Sequence, residues 1–79
     1  MILENKIVTL ENNEQYLILS KEKIKDNVFL IGIRIENEKY INDFKIFLEE
    51  IKNDKVILNI IEDEELIKVV VNAYLLDKI

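Results

Sequence analysis

Not one cysteine and not one histidine occurs in the 79 residues of this chain. A chain of this length buries only about 60% of the surface that it exposes when unfolded, so its stability is marginal without help. Disulfides need cysteine and structural zinc sites need cysteine or histidine, so neither staple is open to it. Apolar burial has to hold the fold instead. The material is there: 49% of the residues are hydrophobic, most of them Ile, Leu and Val. A chain of this kind packs very densely as one domain (1–79), or it shares apolar surface with a second copy or another protein.

The same absences narrow the chemistry. Nucleophilic catalysis would have to use the single Ser20 or the single Thr9, with no histidine to act as base. Tyrosines, lysines and carboxylates remain, but no spacing sets two of them in a recognisable acid–base arrangement. One glycine cannot build a phosphate-cradling loop. The expectation is a protein with no catalytic residues, no cofactor and no metal site. The lack of cysteine fits a reducing compartment. No stretch reads as a signal peptide, and none approaches the roughly 20 apolar residues of a membrane helix. A soluble, cytoplasmic protein is expected.

Charge is distributed unevenly. The net charge of −5 disfavours direct nucleic-acid binding, which needs cations to neutralise phosphates. Acids and bases nearly balance up to Leu48, but from Glu49 to Glu65 the acids Glu49, Glu50, Asp54, Glu62, Asp63, Glu64 and Glu65 face only Lys52 and Lys55. Three readings of Glu62-Asp63-Glu64-Glu65 arise. As a cation site it lacks the glycine and alternate-position ligands of a calcium loop. As a helix start it places negative charge at the positive end of the dipole. Joined to Glu49, Glu50 and Asp54, it forms an acidic patch able to meet a Lys/Arg-rich protein surface.

Hydrophobic periodicity predicts mostly strands. Lys6 to Leu10 and Gln15 to Ser20 form a hairpin about Asn12-Asn13, since Asn tolerates the left-handed backbone that a tight two-residue turn demands. Ser20 to Asn27 is polar and reads as a solvated loop, with Lys21, Lys23 and Lys25 guarding a sheet edge. Val28 to Ile35 is apolar on both faces at its start and reads as a central strand, and Gly32 within it suggests a bulge or tight bend. Tyr40 to Lys52 fits a helical stripe and a period-two strand, and the strand reading of Phe44 to Ile51 is preferred. Lys55 to Ile61 is a strand. A final helix follows, N-capped by Asp63. Its Leu66, Val69, Val70, Ala73 and Leu76 share one face, while Ile67, Val71, Tyr74 and Leu75 extend the apolar cover around the sides. That cover exceeds what one sheet face buries. The helix therefore either sits in the mouth of a strongly curved sheet or presents Ile67, Val71, Tyr74 and Leu75 to a second copy or a partner.

The stretches ENNEQYLILS, NVFLIGI, FKIFLEEI and IEDEELIKVVVNAYL, in that order, resemble small proteins of AT-rich Gram-positive bacteria, their relatives and their phages. The abundance of Ile, Lys, Glu and Asn agrees with that source. The resemblance implies the strand reading of Phe44 to Ile51. It carries over no functional residue, because the group has no defined activity, and Tyr40 to Asp43 departs from its pattern.

The expected fold is α+β: a five-stranded, mainly antiparallel curved sheet, a partial barrel, closed by the C-terminal helix. Phe29, Ile31, Ile33, Phe44, Ile46, Ile57, Leu66, Val70 and Ala73 are its expected core. The expected function is non-catalytic binding of another protein with a basic surface, as in a phage or mobile-element inhibitor of a host defence system such as CRISPR. A housekeeping adaptor acting as a homodimer is the alternative.

Overall fold

Four reversals of the backbone shape the molecule, and each contains at least one residue in the left-handed conformation, Lys25 at φ 56° in the turn between the second and third strands. A computed structural model of the chain describes residues 4–77. In chain order it contains β1 (Ile7–Thr9), β2 (Gln15–Ile24), β3 (Asn27–Glu36), β4 (Lys39–Lys52), β5 (Lys55–Ile60) and α1 (Glu64–Asp77). Between β3 and β4, Asn37 and Glu38 have φ of 52° and 64°, and between β4 and β5, Asn53 and Asp54 repeat those values. Two consecutive positive φ values are the signature of a type I′ hairpin turn, whose twist matches that of the strands on either side. The turn after β1 is a loop of three residues, Glu11 to Asn13, and not a two-residue turn: of the two asparagines only Asn13 is left-handed, at φ 71°. Asn12 Oδ1 accepts the Glu14 N–H at 3.0 Å there, and the Leu10 N–H donates to the Glu14 carbonyl at 2.8 Å.

The strands lie in the order β1-β2-β3-β4-β5, each antiparallel to the next. The sheet curls into a half-barrel, with one helix after it. Two bulges produce much of the bend. Leu19 is an extra residue in β2 between the Ile18–Gly32 and Ser20–Ile31 pairs. Asn42 and Asp43 are extra in β4 between the Ile33–Phe44 and Arg34–Ile41 pairs. Bulges raise local twist and bend the bulged strand, and these two flank the same stretch of β3.

Gly32 lies beside both bulges, but its backbone φ is not positive. Its role is space. A Cβ on Gly32 would stand 3.1 Å from Tyr16 Cβ and 3.2 Å from Phe47 Cε2. Those two rings meet edge to face, centroids 5.4 Å apart at 77°.

The sheet has an apolar layer on each side. One holds Tyr16, Ile18, Leu30 and Phe47, onto which Val8 and Leu10 from the first hairpin and Leu58 from β5 converge. The other holds Phe29, Ile31 and Ile46, covered by Val70 of α1. The sequence-based core contains only the second layer: Phe29, Ile31, Ile46 and Val70 are buried as expected, and Ile33, Leu66 and Ala73 are half-buried. Phe44 and Ile57 are exposed. The first layer was missed because both faces of β3 and β4 are apolar, so periodicity cannot tell which face a neighbour covers.

Three further expectations are corrected. Ser20 to Asn27 is not a loop: β2 runs to Ile24, and Lys21, Lys23 and Ile24 pair with Leu30, Val28 and Asn27. Backbone pairing with the apolar β3 overrides the polar composition, as context overrides strand propensity generally. The strand at Phe44 to Ile51 is present but longer, Lys39–Lys52. The helix does not sit in the mouth of the curved sheet. It packs on the face opposite to the one where Val8 and Leu58 converge, so the half-barrel is not closed by it.

The start of α1 is as expected. Asp63 Oδ1 accepts the backbone N–H groups of Glu65 at 2.9 Å and Leu66 at 3.3 Å, and Glu64 and Glu65 occupy the first turn. Both satisfy the positive end of the helix.

Candidate functional site

Leu19 and Phe44, each at a bulge of the sheet, stand on the sheet wall of a groove beside α1. The helix covers Phe29, Ile31 and Ile46 but leaves an apolar groove of about 1130 Å³ lined by Leu19, Ile33 and Phe44 on the sheet and Val71, Tyr74 and Leu75 on the helix. Phe44 is 53% exposed and Leu75 52%. Large side chains left half in water beside a groove are a common mark of a binding surface.

The groove has a charged rim. Glu62 and Glu64 line it at the end where the chain leaves β5 and enters α1. Lys45 is the one cation among its described lining residues, and its Nζ stands 3.6 Å from Asp43 Oδ1. The rim is therefore net acidic.

The acidic stretch read from the sequence is divided by the fold. Glu49 and Glu50 are consecutive in β4, so their side chains leave opposite faces. Glu50 Oε1 accepts a hydrogen bond from Asn59 Nδ2, and its Oε2 lies 4.0 Å from Lys52 Nζ. Asp54 is in the turn before β5 and Glu62 lies just beyond its other end. A strand of six residues separates those two acids by roughly 17 Å or more. Asp63 faces its own helix as the cap. Glu62 and Glu64 are the members that reach the groove. Of the helix residues singled out as a partner face, Ile67, Val71, Tyr74 and Leu75 all line the groove, and the first three also pack against the buried layer. The apolar side chains that α1 turns outward are Val69, Leu75 and Leu76.

Two further polar clusters escaped the sequence reading. Arg34 reaches three carboxylates: Nη2 to Glu14 Oε2 at 3.3 Å and Glu36 Oε2 at 3.7 Å, and Nη1 to Asp43 Oδ2 at 3.7 Å. The bulge at Asn42–Asp43 is what brings Asp43 into this set. Glu14 also accepts a hydrogen bond from the buried Tyr16 hydroxyl at 3.3 Å. Burial, and the nearby negative charges of Glu14 and Asp43, push the Tyr16 phenol above its ordinary range. This cluster satisfies a buried hydroxyl at one end of the half-barrel and has a structural role.

The second cluster is Glu22, which is buried on the helix side of β2. Its Oε2 accepts a hydrogen bond from the Ser20 hydroxyl. Burial is the main cause that pushes the carboxyl above the usual range. The Ser20 hydroxyl pulls it down, while Asp77 at the end of α1 and Glu4 push it further up. Among the described residues no group of three potential ligands could hold a metal ion, and no helix is long and apolar enough to cross a membrane.

No protein-family model, curated protein or solved structure matches this chain.

The groove was partly legible beforehand. The excess apolar cover of α1 pointed to its helical wall. The sheet wall was not legible, because Phe44 follows a bulge that no sequence signal marks.

Proposed function

We propose that this protein is a non-catalytic binding protein, and that its groove takes an apolar segment of another protein flanked by Lys or Arg. The observation that carries the reading is the half-exposed Phe44 facing Leu75 across an apolar groove with Glu62 and Glu64 on its rim. Apolar side chains of the segment would bury Phe44 and Leu75. The acidic rim, on a chain of net charge −5, selects a basic flank and speeds encounter. The composition supports the non-catalytic half, since neither cysteine nor histidine is available as nucleophile or base. Inhibition of a host defence enzyme by a phage or mobile-element protein is one setting for such binding, and its support is the acidity, the small size and the resemblance described above.

The test is capture from native lysate by the tagged wild-type chain, by Phe44→Asp and by Glu62→Lys/Glu64→Lys. A genuine partner is lost with Phe44→Asp, is weakened by the double charge reversal and dissociates as salt rises. A partner retained by all three proteins would overturn the reading. If no partner is captured and light scattering gives a dimer that Phe44→Asp dissociates, the groove joins two copies and the homodimer reading replaces this one.

A further inference from the structure

Among the described residues the outer edges of the first and last strands are both unpaired, and the two strands face one cleft. A space of about 740 Å³ is lined by Val8 to Asn12 on one side and Val56 to Ile60 on the other. The register identifies the backbone groups that point into it. On β1, Leu10 donates to Glu14, so the even positions bond to β2, while Ile7 and Thr9 turn their N–H and C=O groups away from it. On β5, Ile61 donates to the Ile46 carbonyl, so Asn59 and Ile57 bond to β4. Val56, Leu58 and Ile60 direct their backbone groups outward.

Direction decides what can fill the cleft. In a meander of antiparallel neighbours, β1 and β5 run the same way. One added strand running opposite to them is antiparallel to both edges at once and completes a closed barrel of six strands. Such a strand needs both of its own edges free. Each of the five strands of this chain already pairs on at least one side, so a folded second copy cannot supply it. An extended, unpaired segment of a different protein can. Side chains set its pattern. Val8, Leu10 and Leu58 form an apolar floor, which suits apolar residues at alternate positions. Glu11 is the one ionised residue among the described lining residues. It stands just past the C-terminal end of β1, where the N-terminal end of an antiparallel guest arrives.

We propose that the cleft between β1 and β5 accepts an extended peptide segment of a partner protein by strand addition, antiparallel to both edges, with a basic residue near its N-terminal end beside Glu11. This is a second surface, independent of the groove under α1.

An end-blocked Lys-Val-Thr-Val-Thr-Val peptide is a suitable probe, read by NMR amide exchange on the full chain. Exchange of Ile7, Thr9, Val56, Leu58 and Ile60 slows on titration. N-methylation of alternate peptide residues removes the hydrogen bonds to one edge and weakens binding roughly tenfold or more. Glu11→Lys weakens binding of the parent peptide while the far-UV circular dichroism is unchanged. No added protection at about 1 mM peptide, or equal binding of the methylated form, would overturn the proposal. Protection of the same amides without peptide, in a chain that scatters as a dimer, would also overturn it by assigning the cleft to a second copy.

Discussion

At the scale of single residues, two positions are held by opposite requirements. Gly32 is needed for the volume that it leaves open, because Tyr16 and Phe47 close over it so tightly that a methyl group fits only if both give way. Gly32→Ala is expected to lower stability by about 1–3 kcal/mol, the usual range for overpacking, as a shift of the urea midpoint. Glu22 is held by a buried charge that the fold disfavours. The unfolded carboxyl ionises first as pH rises, while the folded one keeps its proton longer because burial and Asp77 disfavour its charge. The folded state then binds more protons, so stability is full below the ordinary carboxylate range, near about pH 4, and falls as pH rises through the range of folded Glu22. Glu22→Gln keeps the shape and removes the charge. It is expected to flatten this fall and to leave the variant about 1 kcal/mol more stable at pH 7, by urea titration at pH 5 and 7. A variant with the wild-type slope between those values would remove Glu22 as its source. Neither position announced its role in the sequence. Gly32 was legible as an irregularity, but Glu22 reads as one more charge among lysines until β3 pairs with it.

At the scale of elements, turn chemistry and capping carry the most local information. Asn12-Asn13 and Asp63 are readable because their side chains bond their own backbone within three residues, which needs no tertiary partner. The turn at Asn37-Glu38 is less optimal: Glu38 carries a Cβ at φ 64°, where glycine is unstrained. Glu38→Gly completes the Asn-Gly pair favoured in type I′ turns. It is expected to raise stability by about 0.5–1 kcal/mol, seen as a higher melting temperature. A lower one would mean that Glu38 makes contacts outweighing its backbone strain. Strand lengths were less legible than turns. The lysines of β2 look like loop, and what extends the strand to Ile24 is ladder pairing with residues far along the chain.

At the scale of the whole molecule, β3 and β4 each serve both apolar layers. Leu30 belongs to the layer with Tyr16 and Phe47, and its neighbour Ile31 to the layer under α1. Two layers that share a strand cannot unfold separately. Leu30→Ala and Ile31→Ala are each expected to cost about 2–4 kcal/mol. In both variants, circular dichroism of the helix and fluorescence of the tyrosines should report one coincident transition. Separate midpoints in Ile31→Ala, with the helix lost first, would show the two layers to be independent. The exposed Val69, Leu75 and Leu76 of α1 lie outside both layers.

The sequence alone was sufficient for the class and order of the elements, the place of the first turn, the helix cap and the absence of cysteine and histidine. Each of these depends on residues close together in the chain, or on residue types that are simply missing. Tertiary structure alone decided which face each strand shows to what. With both faces of β3 and β4 apolar, the pattern of the strand does not choose a side. One extra residue in β2 and two in β4 reset the register and open Phe44 to the groove. The curl of the sheet then brings β1 and β5 to one cleft. The divided acidic stretch has the same cause: neighbours in a strand point apart, and the ends of a strand lie far from each other.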